Sequence, residues 1–179
     1  ADFVRDNGSE FDIVNANINW VQSTLNRGVF ATRGSQQRFG FDIALPGSGL
    51  EYYKVTYSAQ HLRGLCRGLS LKLRADLGYG ESYGDTTQMP FFKNFYGGGF
   101  GSVRGFERNT LGPRDTPCNY NEDNPCTTGY LDDPDPIGGN VQVELGAEII
   151  LPLPFLKDQR SVQSTLFFDA GNIFNTKCG

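Results

Sequence analysis

Leu69-Ser70-Leu71-Lys72-Leu73-Arg74-Ala75-Asp76-Leu77-Gly78-Tyr79 is apolar at every odd position and polar or glycine at every even one. Successive side chains on a strand point to opposite faces, so this period of two predicts a strand with one apolar and one charged face. Val141-Gln142-Val143-Glu144-Leu145-Gly146-Ala147-Glu148-Ile149-Ile150-Leu151 repeats the pattern, as does Arg38-Phe39-Gly40-Phe41-Asp42-Ile43-Ala44-Leu45. Tyr53, Val55, Tyr57 and Ala59 alternate with Lys54, Thr56, Ser58 and Gln60. Val14, Ala16, Ile18 and Trp20 alternate with Asn15, Asn17, Asn19 and Val21. The stretch from Ser161 to Phe174 is less clean. It sets Val162, Ser164, Leu166, Phe168 and Ala170 against Gln163, Thr165, Phe167, Asp169 and Gly171.

Six strands of about nine to twelve residues have the length that crosses a bilayer when tilted. A soluble antiparallel sandwich alternates too. Two features favour the membrane. Charges sit mid-strand on the polar faces (Lys72, Arg74, Asp76, Glu144, Glu148, Asp169), as a wet lumen allows. Aromatics gather at strand ends, as Tyr52-Tyr53, Phe91-Phe92, Phe95-Tyr96, Phe155 and Phe174, like an interfacial girdle. The expected fold is all-β: an antiparallel membrane-type β-barrel segment, with residues 1–179 forming one partial transmembrane domain.

Composition agrees. The chain has 179 residues, 38% of them hydrophobic, with 23 Gly, 14 Phe and 8 Tyr. A membrane barrel needs apolar residues on only one face of each strand, so a low hydrophobic fraction is compatible with it. No apolar run is long enough for a membrane helix. The net charge of -4 argues against a nucleic-acid surface. The N-terminal Ala1-Asp2-Phe3-Val4-Arg5-Asp6 carries no signal-peptide pattern, as expected of a processed chain or a fragment.

Four connections are short, and one, residues 80–138, is very long. Outer-membrane barrels have short periplasmic turns and long extracellular loops. With the long loop outside, parity puts the turn at Pro46–Glu51 outside as well. The turns near Asn26, His61 and Pro152 become periplasmic, and both termini lie at the extracellular edge.

Within the long loop lies Asn94-Phe95-Tyr96-Gly97-Gly98-Gly99-Phe100-Gly101-Ser102-Val103-Arg104-Gly105-Phe106. So glycine-rich a loop has high conformational entropy and keeps one shape only if clamped. The handle is Arg104, whose guanidinium binds carboxylates bidentately. Other chemistry finds little support. The glycines lack the Lys-Ser/Thr ending of a phosphate loop. Asp132-Asp133-Pro134-Asp135-Pro136 does not match a calcium-loop spacing. His61 reads as a bystander, and no Ser or Cys stands in a nucleophilic arrangement. No enzyme activity, metal or cofactor is expected. Cys118 and Cys126 close a loop of disulfide size, which is favoured over a zinc site because the only histidine is far away in sequence. Cys66 and Cys178 have no evident partner, and parity puts them at opposite strand ends.

Met89-Pro90-Phe91-Phe92-Lys93-Asn94-Phe95-Tyr96-Gly97-Gly98-Gly99, then Val103-Arg104-Gly105-Phe106, then Asn109-Thr110-Leu111-Gly112-Pro113, resembles the BamA family of outer-membrane protein assembly factors. Glu51-Tyr52-Tyr53-Lys54-Val55, Leu151-Pro152-Leu153-Pro154-Phe155 and Phe167-Phe168-Asp169-Ala170-Gly171-Asn172 are also similar. The resemblance covers nearly the whole chain in order. It implies that the loop folds into the barrel lumen, where Arg104 meets acids on the two strands that follow. Matching motifs make these acids Glu148 and Asp169, both already on the polar face by phase. The resemblance further implies a bacterial outer-membrane insertase that folds client β-barrels with lipoprotein partners. Family members have periplasmic modules and about sixteen strands, so the chain reads as a barrel fragment whose strand edges self-associate in isolation. A passive pore or secretion barrel with a plug loop is the alternative, and a soluble β-sandwich binding module a third reading.

Overall fold

The computed structural model describes residues 12–66, 68–114, 134–152 and 162–176. It contains six strands: β1 (Asn15–Ser23), β2 (Gly34–Ala44), β3 (Tyr52–Gly64), β4 (Ser70–Ser82), β5 (Val141–Leu151) and β6 (Ser164–Phe174). Each pairs antiparallel with its sequence neighbour in a single sheet of order β1-β2-β3-β4-β5-β6. Among the described residues the sheet is open, with β1 and β6 at its edges. No helix is long and apolar enough to cross a membrane, which leaves crossing by strands untouched.

The register keeps the two faces separate. Lys72 stands opposite Glu148, Asp76 opposite Glu144 and Arg74 opposite Gly146. Gly146 in turn stands opposite Asp169. One face therefore gathers the charges. The other carries Ile18, Trp20, Phe39, Leu73, Leu77, Leu145, Leu166 and Phe168, all exposed. A soluble protein rarely leaves so continuous an apolar surface uncovered, whereas lipid covers it readily.

Several sequence expectations need correction. β3 and β4 run further than the alternation suggested, to Gly64 and Ser82, because pairing continues to Tyr52–Ser82 at one end and Gly64–Ser70 at the other. The long connection thus begins after Ser82 and ends before Val141. The aromatic girdle is only partly a girdle. Tyr53 and Tyr79 do sit together on the apolar face, with ring centroids 6.2 Å apart. Tyr52, by contrast, is buried on the charged face, and Phe95 is buried in the loop. The Cys118–Cys126 pairing, Cys178 and Phe155 lie outside the described residues. Cys66 is an exposed free thiol beside the β3–β4 turn.

The connection after β4 turns back over the charged face instead of standing away from it. Phe95 exchanges backbone hydrogen bonds with Gly139 at 2.8 and 3.0 Å, and Leu111 N donates to Gly97 O at 3.0 Å. Phe95, Val103, Leu111 and Ile173 form a small buried cluster between loop and sheet. Strand glycines make room for this. A Cβ at Gly78 would lie 2.6 Å from the Phe95 ring, and one at Gly80 would lie 2.6 Å from Met89 Sδ. A glycine inside a strand often marks such a close approach.

Candidate functional site: a loop clamped to the charged face

Arg104 sits between Val103, which is buried, and Gly105, whose φ of 95° suits glycine. The buried Val103 anchors one side of the arginine, and the glycine lets the chain turn away on the other. Arg104 Nε donates to Asp169 Oδ2 at 2.6 Å, and Nη2 donates to Asp169 Oδ1 at 2.8 Å. That is a bidentate fork on one carboxylate. Nη2 also donates to Glu148 Oε1 at 2.9 Å, and the backbone N–H of Arg104 donates to Asp169 Oδ2 at 3.1 Å. The Asp169 side chain is only 1% exposed. The hydrogen bond to Asp169 raises the Arg104 pKa above its ordinary value, so the guanidinium stays a cation at any working pH.

The irregularity in β6 now has a cause. Phe167 breaks the polar face of that strand, and its ring centroid lies 3.7 Å from Arg104 Cζ. The guanidinium is held edge-on by carboxylates and against its plane by an aromatic ring.

The clamp extends beyond the residues singled out by sequence. Arg74 Nη1 donates to Gly101 O at 2.7 Å, and its Nη2 donates to Ser102 O. Ser102 Oγ donates to Glu144 Oε1 at 2.6 Å and accepts the Gly98 N–H at 2.8 Å. Glu144 is 2% exposed. A carboxylate buried to that degree needs a donor, and Ser102 supplies one. Lys72 Nζ lies 3.4 Å from Glu148 Oε2. Nearer the loop's origin, Lys54 Nζ donates to Lys93 O at 2.7 Å and lies 4.0 Å from the Phe95 ring centroid. Of the sequence-chosen tetrad, Val103 and Arg104 face the sheet. Phe106 is half exposed.

The loop tip thus grips β4 through Arg74, β5 through Glu144 and Glu148, and β6 through Asp169. Arg74 is eight residues from the strand end at Ser82, so the tip descends roughly 26 Å along the sheet. Among the described residues no cluster of His, Cys, Asp and Glu could hold a metal ion. The acids of this site face cations and a hydroxyl, an arrangement suited to holding a loop.

An antiparallel sheet with one lipid-facing side, bearing an arginine-tipped loop on its charged side, defines a class of outer-membrane barrel. The chain belongs to the Omp85 superfamily, whose domain matches residues 4–179, and this places it in the bacterial outer membrane. It is 38% identical over 160 residues to the outer membrane protein assembly factor BamA of Neisseria meningitidis serogroup B, covering 89% of this chain. It superposes on BamA from Haemophilus ducreyi lacking POTRA domains 1–3 with a TM-score of 0.83 and 30% identity, over 98% of this chain. The chain spans 19% of the Neisseria protein and 35% of the Haemophilus chain.

Proposed function

We propose that this sheet and loop are the part of an outer-membrane insertase in which the loop is locked to the barrel wall. The parent protein would fold and insert client β-barrels together with assembly-complex lipoproteins, without bond-making chemistry or a cofactor. The carrying observation is the bidentate Arg104–Asp169 pair with its Glu148 branch, which fixes a loop too glycine-rich to fix itself. The similarity to a protein named an assembly factor supports the rest. The clamp's role is to keep the loop docked on the inner wall and so stabilise the barrel, with the long loop entering from the extracellular side.

The test uses the full-length protein in liposomes with its lipoprotein partners. Folding of an added client barrel should be faster than in empty liposomes, and Arg104→Ala should remove most of that gain. Ion conductance with no client folding would instead favour the passive pore. Orientation has its own check. A large PEG-maleimide should reach Cys66 only after the outer membrane is permeabilised, with Cys66→Ser as control.

A further inference from the structure

Glu51-Tyr52-Tyr53-Lys54 leads into β3 beside the residues with which β4 ends, since Tyr52 pairs with Ser82 and Lys54 with Gly80. Glu51 itself stands one residue before β3, at the end of the β2–β3 turn. Its carboxylate faces backbone. Gly47 N donates to Oε1 at 2.8 Å, and Asp85 N donates to Oε2 at 3.3 Å. Among the described residues no cation lies within ion-pair distance of it. One carboxylate therefore joins two segments, the β2–β3 turn and the first residues of the long connection. The main chain of Glu51 makes the same join. Tyr83 N donates to Glu51 O at 3.0 Å, and Glu51 N donates to Thr86 Oγ1 at 2.8 Å, with Thr86 buried. Tyr83 Oη adds a bond to Ala44 O at the end of β2.

Gly84 makes the seat possible. Its φ is 61°, and a Cβ there would overlap Glu51 Oε2. Glycine takes up this left-handed backbone without steric cost, and it leaves the space that the carboxylate fills. The Arg104 clamp lies far away. Its contact on β4, Arg74, is eight residues from Ser82, roughly 26 Å along the sheet. The partners of Glu51 are Gly47, Tyr83, Asp85 and Thr86, and none of them is a hydrogen-bond partner of Arg104. Between the two places the chain passes Gly98 and Gly99, with φ of 102° and 96°. Contacts this far apart, with no partner in common, act additively.

We infer that Glu51 is a positioning residue for the loop. Its carboxylate fixes the loop's root, residues 83–86, to the β2–β3 turn, independently of the Arg104 clamp at the tip. The loop is held at two points. Opening the clamp frees the tip to turn about Gly98 and Gly99 while the root stays seated. The segment that lies over the charged face therefore always starts from one fixed place on the rim of the sheet. A side chain that only filled space at position 51 would be replaced well by glutamine, which has nearly the same shape. A carboxylate that accepts two backbone N–H groups would not, because glutamine turns an N–H₂ toward one of them.

The test is hydrogen exchange of the full-length protein in detergent, read by mass spectrometry. In Glu51→Gln, peptides covering 83–92 should exchange about tenfold faster, with 97–111 unchanged. Arg104→Ala should do the reverse. In the double variant each segment should exchange as in the corresponding single variant. Gly84→Asn gives a second route, since asparagine tolerates this backbone better than most residues and its side chain displaces the carboxylate. It should speed exchange of 83–92 as Glu51→Gln does. Unchanged exchange of 83–92 in either root variant would overturn the inference. So would faster exchange of 97–111 in Glu51→Gln, or of 83–92 in Arg104→Ala. Peptides from β4 and β5 report the sheet, and their loss of protection in both root variants would also overturn it, because position 51 would then hold the barrel and not the loop. The measurement uses no client, so its outcome is separate from that of the insertase reading.

Discussion

Arg104 makes four hydrogen bonds into two carboxylates, and one of those carboxylates is almost wholly buried. Removing Arg104 leaves the buried Asp169 carboxylate without its fork, and removing Asp169 leaves the guanidinium with Glu148 alone. Arg104→Ala and Asp169→Ala should each cost on the order of 3 kcal/mol of loop docking, read as a lower unfolding midpoint of the full-length barrel in urea. Arg104→Lys should recover only part, because an ammonium cannot make the fork across Asp169 or lie flat on Phe167. Ser102→Ala tests a different contact. It leaves the Glu144 carboxylate without its donor and should cost about 1–3 kcal/mol in the same measurement. The sequence made Arg104, Glu148 and Asp169 visible because charge is conspicuous on an alternating strand. Ser102 offered no such signal, being one small polar residue in a glycine-rich loop. Phe167 looked like noise in the β6 pattern, since its cation partner is 63 residues away (104 to 167) in a different element.

The six strands were legible from the period of two because lipid on one face and polar surroundings on the other impose it on every strand. Their ends were less so, since Gly64 and Ser82 neither alternate nor break, and pairing alone carries the ladder through them. The return of the loop onto β4 was written in Leu77-Gly78-Tyr79-Gly80, where both inward positions are glycine, yet this became readable only with Phe95 and Met89 above them. Gly78→Val should therefore push Phe95 out of its seat without disturbing β4 pairing. The expected readout is faster protease cleavage within the loop of the full-length protein, with overall strand content by circular dichroism unchanged. Cleavage at the unaltered rate would mean that the loop packs elsewhere.

At the scale of the molecule, β1 and β6 each present a row of unpaired backbone groups among the described residues. In hydrocarbon such an edge is costly, and in detergent it invites pairing with another copy. Residues 1–179 expressed alone should therefore sediment in detergent as dimers or larger species. A stable, detergent-free monomer would contradict both the edge argument and the lipid-facing assignment of Trp20, Leu145 and Phe168. Supplying the rest of the barrel as a separate chain should suppress the self-association.

The loop tip is fastened to three adjacent strands at once, by Arg74 on β4, Glu144 and Glu148 on β5, and Asp169 on β6. Mechanically it is a cross-tie. A tensile load applied to any one of these strands from the end at which the loop enters should pass through the tip to its neighbours before a ladder can unzip. Single-molecule pulling on the full-length barrel should show β4, β5 and β6 leaving the membrane in one rupture, and Arg104→Ala should split that event into smaller steps.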